Sequence, residues 1–220
     1  MRGVPLPRSF YRRPVRRVAL DLLGRILVRQ DEPHDRTEPR MAGRIVEVEA
    51  YDGPRDRACH ASKGRTARTD PMFGEAGHAY VYLIYGMYSC LNVVTGPVGY
   101  PAAVLIRALE PIEGFDGPEG DRRGGRDRRG EASGPGRLCR ALRITRALNR
   151  TDLSVAGRLF IEDGETVGRG RIVRGPRIGV DYAGAWAAKP WRYGVRGSPA
   201  LSRPFPAPVA RRGRASQERA

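Results

Sequence analysis

Apolar residues fall into short runs whose spacing changes along the chain. Residues 14–23 place Val15, Val18, Ala19, Leu22 and Leu23 at helical spacing, with Pro14 suited to a first turn and Gly24 to a stop, so a helix is predicted. Ile26, Leu27 and Val28 suggest a buried strand that should form a hairpin, across a charged loop at 30–40, with a second strand at 43–51. There Val46, Val48 and Ala50 share one face and Ile45, Glu47, Glu49 and Tyr51 the other, because successive strand side chains point to opposite sides. Asp52-Gly53-Pro54 ends the run. Residues 79–94 read as two strands around Tyr85-Gly86-Met87, with Tyr85 at or near the hairpin tip and Tyr80, Tyr82 and Ile84 on one face. Residues 102–109 form an apolar strand interrupted by Arg107, and residues 115–132, almost without apolar content, a mobile loop. A small-residue turn at 133–136 feeds a short helix, and further short strands are expected at 159–162 and 171–173, with 177–180 leading on toward Trp186 and Trp191. Residues 1–13 read as a basic arm, 14–202 as one domain and 203–220 as a Pro/Arg-rich disordered tail. Hairpin-like pairs outnumber βαβ units, which points to a single α+β domain with a curved, mainly antiparallel sheet, short flanking helices and a protruding hairpin.

Some of these elements carry side chains with chemical potential. Glu49 beside Tyr51 near a strand end can be a general base next to a stacking platform, or an ordinary solvated glutamate. Arg107 inside an apolar run needs a carboxylate partner, such as Glu49 or Glu110, because a buried unpaired charge is costly. Tyr80, Tyr82, Tyr85 and Tyr88 lie within nine residues; aromatics favour strands, but a large ring at a hairpin tip has less structural reason. In the polar segment 61–70, Arg65 and Arg68 sit among small residues, the composition of a phosphate-contacting loop and equally of a solvated surface loop. The free N–H groups of the turn before the 137–142 helix can bind a phosphate with help from Arg137.

Composition narrows the setting. The 220 residues suffice for one domain with a sizeable core. A net charge of +16 and a pI near 10.8 favour a polyanion such as nucleic acid, or an anionic membrane surface, although a biased genome composition gives the same excess. Lys63 and Lys189 are the only lysines. Pro5, Pro7 and several arginines stand where a secretory signal needs an apolar segment, and no apolar run approaches membrane-spanning length. The expected location is intracellular: cytoplasmic, at the nucleoid, in a prokaryote and nuclear in a eukaryote. Cys59, Cys90 and Cys139 form no CxxC pair and are expected as reduced, buried thiols. His34, His60 and His78 form no ligand spacing with them, so no metal and no cofactor are expected.

Glu49-Ala50-Tyr51 followed by His60, Met72-Phe73, Tyr82, Tyr85-Gly86-Met87-Tyr88, Asn92, Arg107-Ala108-Leu109-Glu110-Pro111, Ser133-Gly134-Pro135, Leu138-Cys139 and Arg196-Gly197-Ser198-Pro199 occur in an order that resembles the alkyladenine (3-methyladenine) DNA glycosylase family. The resemblance covers about residues 14 to 202. The 95–101 connection, the Gly/Arg-rich 115–132 segment and the tail from Arg203 depart from it. It implies an enzyme that extrudes a damaged purine from duplex DNA, with Tyr85 filling the gap and Tyr51, His60 and Tyr82 sandwiching the base. Aromatic faces favour a cationic ring, hence an N-alkylated purine. Glu49 matches the general base that activates water toward C1′, Arg107 a residue that helps hold this water, and Asn92 a residue that disfavours the 2-amino group of guanine. Neither lysine falls at the matched base position, so a monofunctional, monomeric enzyme that leaves an abasic site is expected. Two other readings stay open: a Mg²⁺-dependent nuclease built on Glu47, Glu49 and Asp52, and a non-enzymatic basic nucleic-acid-binding protein. The residues give Glu47 no role.

Overall fold

A computed structural model describes residues 3–31, 40–115 and 130–206. Three short α-helices, α1 (Arg8–Tyr11), α2 (Val15–Leu22) and α3 (Pro135–Ala141), accompany eight strands: β1 (Ile26–Arg29), β2 (Met41–Asp52), β3 (Ala79–Ile84), β4 (Tyr88–Thr95), β5 (Ala102–Glu113), β6 (Leu159–Glu162), β7 (Ile172–Gly175) and β8 (Arg192–Val195). All belong to one sheet in which every pair is antiparallel, an α+β architecture. The main path runs β3-β4-β5-β2-β1-β6. β2 is the organising strand: β5 covers one edge along its length, while β1 and β8 divide the other, and β7 adds outside β8.

One face of the sheet is the main core. Val15, Val18, Ala19 and Leu22 of α2 and Leu138 and Cys139 of α3 pack with Val46, Val48, Ala50, Val104 and Ile106, all nearly without exposure. The other face carries Glu47, Glu49, Tyr51, Ala103, Leu105 and Arg107. Two successive irregularities interrupt β2·β5 pairing. Ile45 opposes Leu109 and Glu47 opposes Ala108, which leaves Val46 extra on β2; Val48 then opposes Ile106, which leaves Arg107 extra on β5. Strict alternation therefore fails at Ile45, which joins Val46 in the core instead of sharing the face of Glu47.

Two other expectations are corrected. Residues 3–13 do not form an arm: Leu6 N–H donates to Ile161 O at 2.8 Å, Arg8 pairs with Asp152, and Tyr11 is fully buried. Residues 203–206 belong to the fold rather than to a tail, since Arg203 O and Pro204 O accept from the Arg192 guanidinium and Phe205 lies 3.8 Å beneath it. β8 was not foreseen from the sequence. Most of the 115–132 loop and all of 207–220 lie outside the described residues; Phe115 and Ala132, at the ends of that loop, are buried.

Candidate active site

Two carboxylates from β2 lie fully buried side by side, and their partners separate their roles. Glu47 Oε1 accepts from Arg107 Nε at 3.1 Å, Arg192 Nη1 at 3.1 Å and Ser202 Oγ at 2.8 Å, while Oε2 accepts from Ser202 N–H at 2.6 Å. A carboxylate offers about four lone-pair sites, and Glu47 carries four hydrogen bonds, three of them on Oε1. Its function is structural: it ties β2, β5, β8 and residue 202 together. Glu49 Oε1 accepts the Ile178 N–H at 2.8 Å and faces Arg107 Nη1 at 3.3 Å, and Oε2 accepts the Tyr51 hydroxyl at 2.8 Å. Glu49 thus accepts two hydrogen bonds beside its ion pair with Arg107 and has acceptor capacity left for a water. Burial disfavours the Arg107 charge, but Glu49 and Glu47 outweigh it and hold its pKa above the ordinary value. Burial, then the Glu49 charge, pushes the Tyr51 hydroxyl well up, which keeps it a donor.

Beside Glu49 opens a cleft of about 220 Å³ walled by Tyr51, His60, Tyr80, Tyr82, Asn92, Leu105, Arg107 and Ile178. The His60 and Tyr82 rings meet edge to face with centroids 4.5 Å apart, and Tyr80 lies 5.3 Å from Tyr82. His60 Nδ1 is 3.2 Å from the Tyr80 hydroxyl, and Asn92 Nδ2 donates to Tyr80 O at 3.2 Å. Burial first, and the Arg68 charge second, lower the His60 pKa to about 4, so the ring is neutral at pH 7. Cys59, Met72, Val94 and Ala103 pack with Tyr80 beneath this wall. At the mouth stands Tyr85, 84% exposed, with φ of 53°. Few non-glycine residues take positive φ, and the strain is commonly found at functional positions.

The chain matches the family described as Methylpurine-DNA glycosylase (MPG) over residues 9–199. It belongs to that family. As a methylpurine-DNA glycosylase it is a hydrolase of N-glycosyl bonds in DNA. Proteins named provisionally as 3-methyladenine DNA glycosylases are similar almost end to end. One from Methanocella arvoryzae is 56% identical over 204 residues, 93% of this chain and 98% of its own length. One from Myxococcus xanthus is 52% identical over 198 residues, 90% and 93% of the two chains. One from Legionella pneumophila strain Corby is 48% identical over 198 residues, 90% and 98%.

In this methylpurine-DNA glycosylase, Tyr51, His60, Tyr82, Tyr85, Asn92 and Arg107 all border the one cleft, with Glu49 buried behind it. Arg107 takes Glu47 and Glu49 as partners, whereas Glu110 accepts from Ser198. Arg68 also borders the cleft, its guanidinium 5.0 Å over the Tyr82 ring. Arg65 does not; its Nε donates to Asp70 at 2.6 Å. Arg137 is exposed on the first turn of α3, away from the cleft wall. Sequence reasoning missed Asp56, Arg177, Ile178, Arg192 and Ser202. The signal was present for Arg177, an arginine ahead of Ile178-Gly179-Val180 that raises the same question of a partner as Arg107. A backbone donor such as Ile178 N–H leaves no such trace.

Proposed function

We propose that this glycosylase flips an alkylated purine out of duplex DNA into the Tyr51/His60/Tyr82 cleft and hydrolyses its glycosidic bond with a water activated by Glu49. The observation that carries the reading is the contrast between the two buried carboxylates: Glu47 carries four hydrogen bonds, whereas Glu49 carries two and an ion pair and lies against Tyr51, Arg107 and Ile178 of the cleft wall. The water attacks C1′ and gives its proton to Glu49. The C1′–N bond breaks, and its electron pair goes to the purine, which departs neutral when it began as an N-alkylated cation. Neutral His60 and the tyrosine faces suit a cationic ring. Tyr85 fills the vacated stack, Asn92 screens the base edge, and the exposed Arg65, Arg68 and Arg137 take phosphates.

The enzyme is monofunctional and works as a monomer. Neither Lys63 nor Lys189 borders the cleft, so neither lysine amine is placed to form a Schiff base with C1′. The carboxylates that a Mg²⁺-dependent nuclease would use are engaged by guanidinium, hydroxyl and amide donors. No helix among the described residues is long and apolar enough to cross a membrane, and an intracellular site fits a DNA substrate.

The test is base release from duplexes carrying one defined lesion, with chelator present. The wild-type chain should release free purine and leave the strand intact. Glu49→Gln should keep its affinity for the damaged duplex and lose about 10²- to 10⁴-fold in release rate, the usual scale of general-base catalysis. Full activity in that variant, or strand cleavage abolished by chelator, would overturn the assignment.

A further inference from the structure

The strongest unassigned feature is a buried ion pair behind the base platform. Arg177 and Asp56 have no side-chain exposure, and Arg177 clasps Asp56 with both terminal nitrogens. Its remaining Nη donors go to Ala50 O at 2.9 Å and Trp186 O at 3.1 Å. The guanidinium carbon lies 4.8 Å from the Tyr51 ring centroid and 5.1 Å from that of Trp191. Tyr51 borders the cleft and Arg177 does not, so the cation backs the ring from the far side. Asp56 also accepts N–H bonds from Asp52 and Ala58, both at 3.1 Å, and thereby holds the turn that leads from β2 to His60. The next residue after Arg177 supplies the N–H that binds Glu49.

We propose that the Arg177–Asp56 pair is a specificity device, in which Asp56 neutralises the cation behind Tyr51 so that the ring's open face stays attractive to a cationic purine. This rests on the base-flipping reading above. A cation on one face of an aromatic ring draws on the same quadrupole that would hold a cation on the other, and the two like charges repel through the ring. With Asp56 bound, the pair is neutral and that repulsion is cancelled. Arg177 is thus a positioning residue for Tyr51 and, through Ile178, for Glu49; neither member of the pair touches substrate.

A charge series separates this role from mere stability. Asp56→Asn leaves the site at +1, Arg177→Gln at −1, and the double variant returns it to zero with amides in place of the ions. In a Glu49→Gln background, which leaves substrate intact, dissociation constants are measured for matched duplexes carrying a cationic N-methylpurine or neutral hypoxanthine, with melting temperatures recorded in parallel. Asp56→Asn should lower the preference for the cationic base about tenfold, the scale of one like charge across a ring. The double variant should restore the preference, and Arg177→Gln should raise it. Breaking a buried pair is costly to folding; if Asp56→Asn does not fold, Arg177→Gln and the double variant carry the same comparison. A preference that stays constant across the folded variants, or that follows melting temperature instead of charge, overturns the proposal. Failure of the wild-type chain to release the cationic base would instead overturn the glycosylase mechanism on which it rests.

Discussion

The Arg68 guanidinium stands 5.0 Å over the Tyr82 ring, and its charge adds to burial in depressing His60 to about 4. Replacing Arg68 with Gln should raise the His60 pKa part of the way toward 6.5, read by the pH dependence of imidazole nitrogen shifts; an unmoved titration would refute the coupling. The sign for stability follows. Between about pH 4 and 6.5 the unfolded chain binds a proton at His60 that the folded chain refuses, so this contribution is complete above about 6.5 and is lost as pH falls through about 4. A His60→Phe variant should flatten that part of the stability profile in urea titrations. At this scale the gathering of Glu49, Tyr51, His60, Tyr82 and Arg107 about one cleft could be read ahead because they fall in a few spaced motifs. Glu47 was not legible, because Arg192 and Ser202, which give it meaning, are 145 and 155 residues away along the chain.

The β3–β4 hairpin carries its strain at the tip. Tyr85 and Gly86 both have positive φ, 53° and 72°, the mirror-image turn whose twist suits a hairpin and which Asn and Gly adopt more readily than Tyr. Tyr85→Asn should therefore stabilise the fold by about 1 kcal/mol, or roughly 2–4 °C in melting temperature for a chain of this size. It should also abolish the preference for damaged over undamaged duplex. Calorimetry and competitive binding read the two effects separately; loss of stability together with retained discrimination would remove Tyr85 from its assigned place. The alternation rule found β2, β3, β4 and β5 and failed in one place for a physical reason. The extra residue Val46 shifted Ile45 to the core side. β8 escaped notice because it is only four residues long and two of them are Arg192 and Gly194; Tyr193 and Val195 face the core, and Phe205 fills the space over Gly194, where a Cβ would come within 2.6 Å of its ring.

Across the whole molecule, the net charge of +16 governs encounter with DNA more than chemistry. Affinity for undamaged duplex should fall steeply with added salt, the logarithm of the binding constant declining, for each tenfold rise in salt, by about 0.9 per phosphate neutralised. The release rate at saturating enzyme should stay nearly constant, because Glu49 and Arg107 are buried. A parallel fall of both quantities would show that surface charge enters the chemical step. The reach of Ser202 back to Glu47 has another consequence, for synthesis. At ribosomal speeds of roughly 5–20 residues per second, Glu47 waits roughly 10–30 s for a donor 155 residues downstream. During that interval β2 lacks β8 along residues 47–49, and Glu47 lacks Arg192 and both Ser202 contacts. The joint that Glu47 makes between β2, β5 and β8 is therefore among the last parts of the fold that synthesis can complete, although β2 itself is made early.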